Sequence, residues 1–96
     1  MTRRLRWTRR ALRHLEAIGD YIARDSPAAA GRVTERLKTS ANVLIAHPAI
    51  GRVGRIAGTR ELVMADLPYI IPYRVTETSV DILSIIHTSQ RWPEDL

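Results

Sequence analysis

Eight side chains in this 96-residue sequence are of types that handle phosphate groups, protons or nucleobases: Arg52, Arg55, Arg60, Arg74, Arg91, His87, Tyr69 and Tyr73. Metal-free cleavage of a phosphodiester needs activation of the attacking hydroxyl, cations on the developing phosphorane-like charge and a proton for the leaving oxygen. Arg60, Arg74, His87 and Arg91 form one candidate catalytic set, with His87 as acid or base because histidine titrates near neutrality. Arg52, Arg55, Tyr69 and Tyr73 form a second, target-binding set in which the tyrosines could stack on a base. Each has a plainer reading. Tyr69 and Tyr73 are four apart on one strand face and fit a core. Arg60 beside Glu61 fits a solvated strand edge, and Arg52 and Arg55 fit a solvated glycine loop. His87 ends an apolar strand and fits a structural histidine.

Cysteine is absent, which removes disulfides, thiolate metal sites and cysteine nucleophiles. No metal or other cofactor is expected. The net charge is +5, and fourteen of the fifteen basic residues are arginine, the side chain suited to bidentate contact with phosphate or carboxylate. A GC-rich genome would also favour arginine. The distribution says more than the total: residues 1–13 carry six arginines and no acid, and Arg52, Arg55 and Arg60 form a second acid-free stretch. Polyanions or an acidic protein partner suit such a surface. No apolar run approaches the roughly 20 residues of a membrane span. Thr8-Arg9-Arg10-Ala11-Leu12 faintly resembles a twin-arginine export signal, but Arg13, His14, Glu16 and Asp20 occupy the place of its apolar segment. A cytoplasmic location is therefore expected.

These residues must be positioned by a small set of elements. Arg3–Trp7 alternates polar and apolar and predicts a strand with Leu5 and Trp7 inward. Leu12, Leu15, Ile18 and Ile22 recur at helical spacing over residues 9–24, after Thr8 as a candidate N-cap. Ser26 caps and Pro27 begins a second helix, expected from Pro27 to Ala46, with Ala30, Val33, Leu37, Ala41 and Leu44 on one face and His47-Pro48 as its stop. A loop with Gly51 and Gly54 follows. Strands are then expected at 60–64, 69–75 and 80–87. Pro72 implies an edge or a bulge, and the apolar last strand is expected to lie inside the sheet. Residues 1–96 thus read as one α+β domain of order β-α-α-β-β-β, a helical hairpin packed on a small antiparallel sheet.

That order, with Trp7, Leu12…Leu15…Ile18…Tyr21-Ile22, His47-Pro48…Gly51-Arg52…Gly54-Arg55, Gly58-Thr59-Arg60-Glu61-Leu62, Pro68-Tyr69-Ile70-Ile71-Pro72-Tyr73-Arg74-Val75 and Ile82-Leu83…His87…Arg91-Trp92-Pro93, resembles the RelE/ParE toxins of type II toxin–antitoxin systems. The resemblance implies a toxin that arrests growth when its antitoxin is lost. It further implies an acidic antitoxin that folds on binding, with operator DNA contacted only through that antitoxin. RelE-like members cut mRNA on the translating ribosome, whereas ParE-like members poison DNA gyrase without being known hydrolases. Many ribonuclease members carry a Tyr-Arg pair where this chain has Tyr69-Ile70, and they often place lysines on the preceding strand, where residues 60–64 offer only Arg60. The sole lysine is Lys38. The resemblance therefore sits closer to the ParE side and favours a gyrase-directed toxin over an mRNA interferase. An attenuated toxin, acting only as an antitoxin-binding and autoregulatory module, is the third alternative.

Overall fold

The computed structural model describes residues 2–96. Strand β1 (Arg4–Trp7) leads into helices α1 (Arg9–Ala23) and α2 (Pro27–Ala46), followed by β2 (Arg52–Val53), β3 (Arg60–Val63), β4 (Tyr69–Val75), β5 (Ser79–Ile82) and β6 (Ile86–His87). The local signals work as expected. Thr8 accepts the Ala11 N–H at 3.2 Å and Ser26 accepts the Ala29 N–H at 3.1 Å. Pro27 takes the first helical position, where its missing N–H costs nothing.

The helices form a hairpin over one face of the sheet. Ala11 and Leu15 of α1, with Leu37, Ala41 and Leu44 of α2, are buried against Ile71, Tyr73, Val80 and Ile82 of the strands. Complete burial of each large aliphatic side chain contributes about 1.5–3 kcal/mol. Leu5 and Trp7 pack against this core from β1, as the alternation of that strand requires.

Strand order is β1-β5-β4-β3-β2, with β6 on β4 beyond β5. Two features depart from the expected meander. First, β1 lies parallel to β5, Leu5 opposite Val80 and Trp7 opposite Ile82, so the sheet is mixed rather than wholly antiparallel. The helical hairpin is a crossover long enough to return the chain in that direction. Second, the last strand is interrupted at Leu83–Ile85 and the glycine loop contributes the short β2. The interruption lies opposite Pro72: Tyr73 pairs Ile82 and Ile70 pairs Ile86, so three residues oppose two. A proline inside an interior strand needs a break in the ladder where its missing donor falls; here its carbonyl still accepts the Leu83 N–H at 3.0 Å. Of the last strand expected inside the sheet, β5 is internal, between β1 and β4, whereas β6 pairs with β4 alone and forms an edge.

Candidate functional site

Strand alternation decides which candidates can meet. Arg60 lies opposite Tyr73, on the helix-covered face, whereas Arg74 is the next residue of β4 and points to the other face, opposite Asp81. His87 pairs with Tyr69 at the far end of β4. Four residues along β4 and two strand spacings across it separate Arg60 from His87, about 13 Å by about 10 Å. The candidate catalytic set is therefore not brought together. Arg60 donates to the Gly51 carbonyl at 2.8 Å and lies 3.4 Å from that of Ala49, stitching the loop to the sheet. His87 accepts the Ser89 N–H at 3.1 Å and lies 2.8 Å from the Ser89 hydroxyl. Arg91 lines a cleft beside α1, with Arg10 and His14.

Tyr73 leaves the target-binding set. It is wholly buried; its hydroxyl donates to the Pro48 carbonyl and accepts the Gly51 N–H, both at 2.8 Å. Burial pushes the hydroxyl above its usual range, against the opposing pull of the Gly51 N–H and of Arg60. A ring so enclosed cannot stack on a target. Gly51 is the matching signal in the sequence, because a Cβ there would lie 2.6 Å from the Tyr73 oxygen. Tyr69 is half-buried and meets the His87 ring edge-on, centroids 5.4 Å apart. Burial, then Tyr21, raises its hydroxyl too.

Arg52 and Arg55 are not merely solvated. Both turn to Glu61, which reads as half of a solvated strand edge in the sequence yet is 1% exposed. Arg52 reaches one Glu61 oxygen through Nη2 at 2.8 Å and Nε at 2.9 Å. The Arg55 N–H donates to the other at 2.8 Å, with Arg55 Nε 3.8 Å away. The Arg55 guanidinium also lies 3.9 Å from the centroid of the Trp92 ring. Beyond them, Arg6 and Arg74 flank Asp81, which holds Arg6 at 3.4 Å and accepts the Ser79 hydroxyl at 2.8 Å.

His14 is the residue the sequence did not single out. Its Nδ1 accepts the Ile85 N–H at 3.2 Å and lies 3.0 Å from the Ser84 hydroxyl. Burial first, then the charges of Arg10 and Arg13, lowers its pKa below the ordinary 6.5. The only hint was position: His14 precedes Leu15 on the inner side of an otherwise charged stretch. Among the described residues, no three His, Asp or Glu side chains gather as a metal ligand set, and no helix is long and apolar enough to cross a membrane.

Residues 5–92 match the family model described as the ParE toxin of the type II toxin–antitoxin system parDE. The chain belongs to the ParE toxin family. This ParE-family toxin is 54% identical over 94 residues to "Putative toxin Y4kP" of Sinorhizobium fredii (strain NBRC 101917 / NGR234), covering 98% of this chain and 97% of that protein. It is 46% identical over 84 residues to toxin RelE2 of Caulobacter vibrioides, covering 88% and 93%. The fold is similar to a chain of the chromosomal ParDE system from P. aeruginosa, with TM-score 0.81 and 29% identity over 90% of this chain and 96% of that one. One relative carries a RelE name, whereas the family model and the solved structure carry ParE names.

Proposed function

We propose that this ParE-family toxin arrests growth by binding and poisoning DNA gyrase, without hydrolysing nucleic acid. The observation that supports this reading is the dispersal of the cations: Arg60 and Arg74 leave the sheet on opposite faces, and His87 lies at the other end of β4 from both. Catalysis of metal-free RNA cleavage depends on such groups converging on one phosphate, and loss of one stabilising donor costs about 2.7–4 kcal/mol of barrier. Ile70, where ribonuclease relatives carry an arginine, is only 6% exposed and forms part of the interior.

The partner that restrains the toxin is a cognate antitoxin with an acidic segment that folds on binding. Supporting this, β2 pairs with only Arg60 and Glu61, leaving the Leu62–Val63 edge of β3 open. Exposed Val43, Val63 and Ile50 line the hollows along that edge. An added strand would satisfy the edge and cover the apolar side chains.

Induction of the toxin without its antitoxin tests the reading. DNA-damage signalling and stalled supercoiling, with intact transcripts, are expected, and Arg74→Ala with His87→Ala should remain toxic. Cuts phased to codons with normal supercoiling would overturn it in favour of an mRNA interferase. Growth without arrest would leave only the antitoxin-binding module.

A further inference from the structure

Beyond the gyrase reading, and independent of it, a second polar site lies at the free margin of β6. β1 ends at Trp7, opposite Ile82, so the outward backbone of residues 83–85 has no strand beside it. Two side chains of the α1 segment cover it instead. The Thr8 N–H donates to the Ile82 carbonyl at 3.0 Å and its hydroxyl to the Leu83 carbonyl at 3.2 Å. His14 receives the Ile85 N–H on Nδ1. A backbone N–H can only donate, so Nδ1 is the acceptor and the ring proton of neutral His14 sits on Nε2. The imidazole is thus held by one edge and retains one donor.

That ring lines a cleft of about 350 Å³ between α1 and the C-terminal segment, together with Arg10, Gln90, Arg91 and Trp92. The volume lies at the low end for small-molecule sites, about 300–1,000 Å³, which suits a single small ligand unit. Arg91 makes no hydrogen bond or ion pair among the described residues. Arg10 has one weak contact, 3.4 Å to the Asp95 carbonyl. Asp95 is the one acid in the lining. Arg55 covers one face of the Trp92 ring, and the ring is also part of the cleft lining, where it can meet a flat partner.

We propose that this cleft binds a nucleoside phosphate, the phosphate held by Arg10, Arg91 and His14 Nε2–H and the base stacked against Trp92. Two guanidinium forks and a neutral imidazole supply more donors than the two oxygens of a carboxylate can accept, whereas a phosphate presents three or four acceptor oxygens. The lowered pKa of His14 keeps the ring neutral near pH 7, so the attraction is carried by the arginines and the histidine orients. Stacking on an aromatic ring tolerates any base. The ligand is either a free nucleotide or one unit of a nucleic-acid strand, and the site holds it without a chemical step.

The test titrates the full chain with adenosine 5′-monophosphate and, separately, with short single-stranded DNA and RNA, following tryptophan emission and the His14 imidazole nitrogen shifts. Saturable movement of both signals is expected, weakening with added salt. Arg10→Ala and Arg91→Ala should each weaken binding about tenfold. His14→Asn is the discriminating variant: its Oδ1 can still accept the Ile85 N–H while the Nε2 donor is gone, so the melting temperature should hold and affinity should fall. Tighter binding of a strand than of the mononucleotide assigns nucleic acid as the source; equal affinity assigns the free nucleotide. Absence of a saturable His14 shift, or unchanged affinity in Arg10→Ala and His14→Asn, overturns the site. Gyrase assays are read separately, so failure of one reading does not decide the other.

Discussion

The Arg55 guanidinium rests 3.9 Å from the Trp92 ring centroid while its own backbone N–H holds Glu61. One residue thereby joins the glycine loop, the buried carboxylate of β3 and the C-terminal segment. A cation–π contact of this kind contributes about 0.5–2 kcal/mol. Trp92→Ala should therefore loosen the C-terminal segment without unfolding the domain. Tryptic cleavage after Arg91 should accelerate while the melting temperature changes little. An unchanged cleavage rate would show that the contact does not hold the segment.

Glu61 carries more. Its carboxylate is buried, but Arg52 and Arg55 are each about half exposed, and solvent screens part of each pairing. Removing it leaves the Arg55 N–H without its acceptor and two arginines free to hydrate. Glu61→Ala is expected to cost about 2–3 kcal/mol, below the roughly 3–5 kcal/mol of a fully buried pair. Glu61→Gln keeps an acceptor for the Arg55 N–H and should cost less. Urea denaturation measures both, and equal losses would place the stabilisation in charge alone.

Tyr73→Phe removes a donor to Pro48 and an acceptor for Gly51 while keeping the ring. The Gly51 N–H would then be buried and unpaired, a loss of about 1–3 kcal/mol. Toxicity at a temperature where the variant remains folded should match the parent. Loss of toxicity in a fully folded variant would return Tyr73 to the target-binding set.

Stability should depend on pH through His14. Its folded pKa lies below 6.5, so between the folded and unfolded values the unfolded chain binds more protons. Stability from this group is fully present above about pH 6.5, declines as pH falls below it and levels off once the folded histidine is also protonated. Thermal melts from neutral to mildly acidic pH should show that decline, and His14→Asn should flatten it. An identical pH profile in the variant would assign the decline to other groups.

Local physics made much of the architecture legible in the sequence. The apolar spacing of Leu15, Leu37, Ala41 and Leu44, the caps at Thr8 and Ser26 and the position of Pro27 are near-neighbour effects, and they set both helices within a residue of their observed ends. Pro72 pointed to an edge or a bulge because a proline cannot donate to a ladder, and the structure has an interruption opposite it. What decided the candidate site was long-range. That β1 runs parallel to β5, that Arg60 and Arg74 face apart, and that His14 meets Ile85 across 71 positions follow from how the hairpin returns the chain to the sheet. Arg60-Glu61 reads as a solvated edge because two adjacent side chains of the strand are charged. Only the closure of Arg52 and Arg55 over Glu61, fixed by β2 pairing with β3, buries the charge and gives it partners. Side-chain type is written in the sequence, whereas the company each charge keeps depends on which strand faces the packing of the helices leaves open.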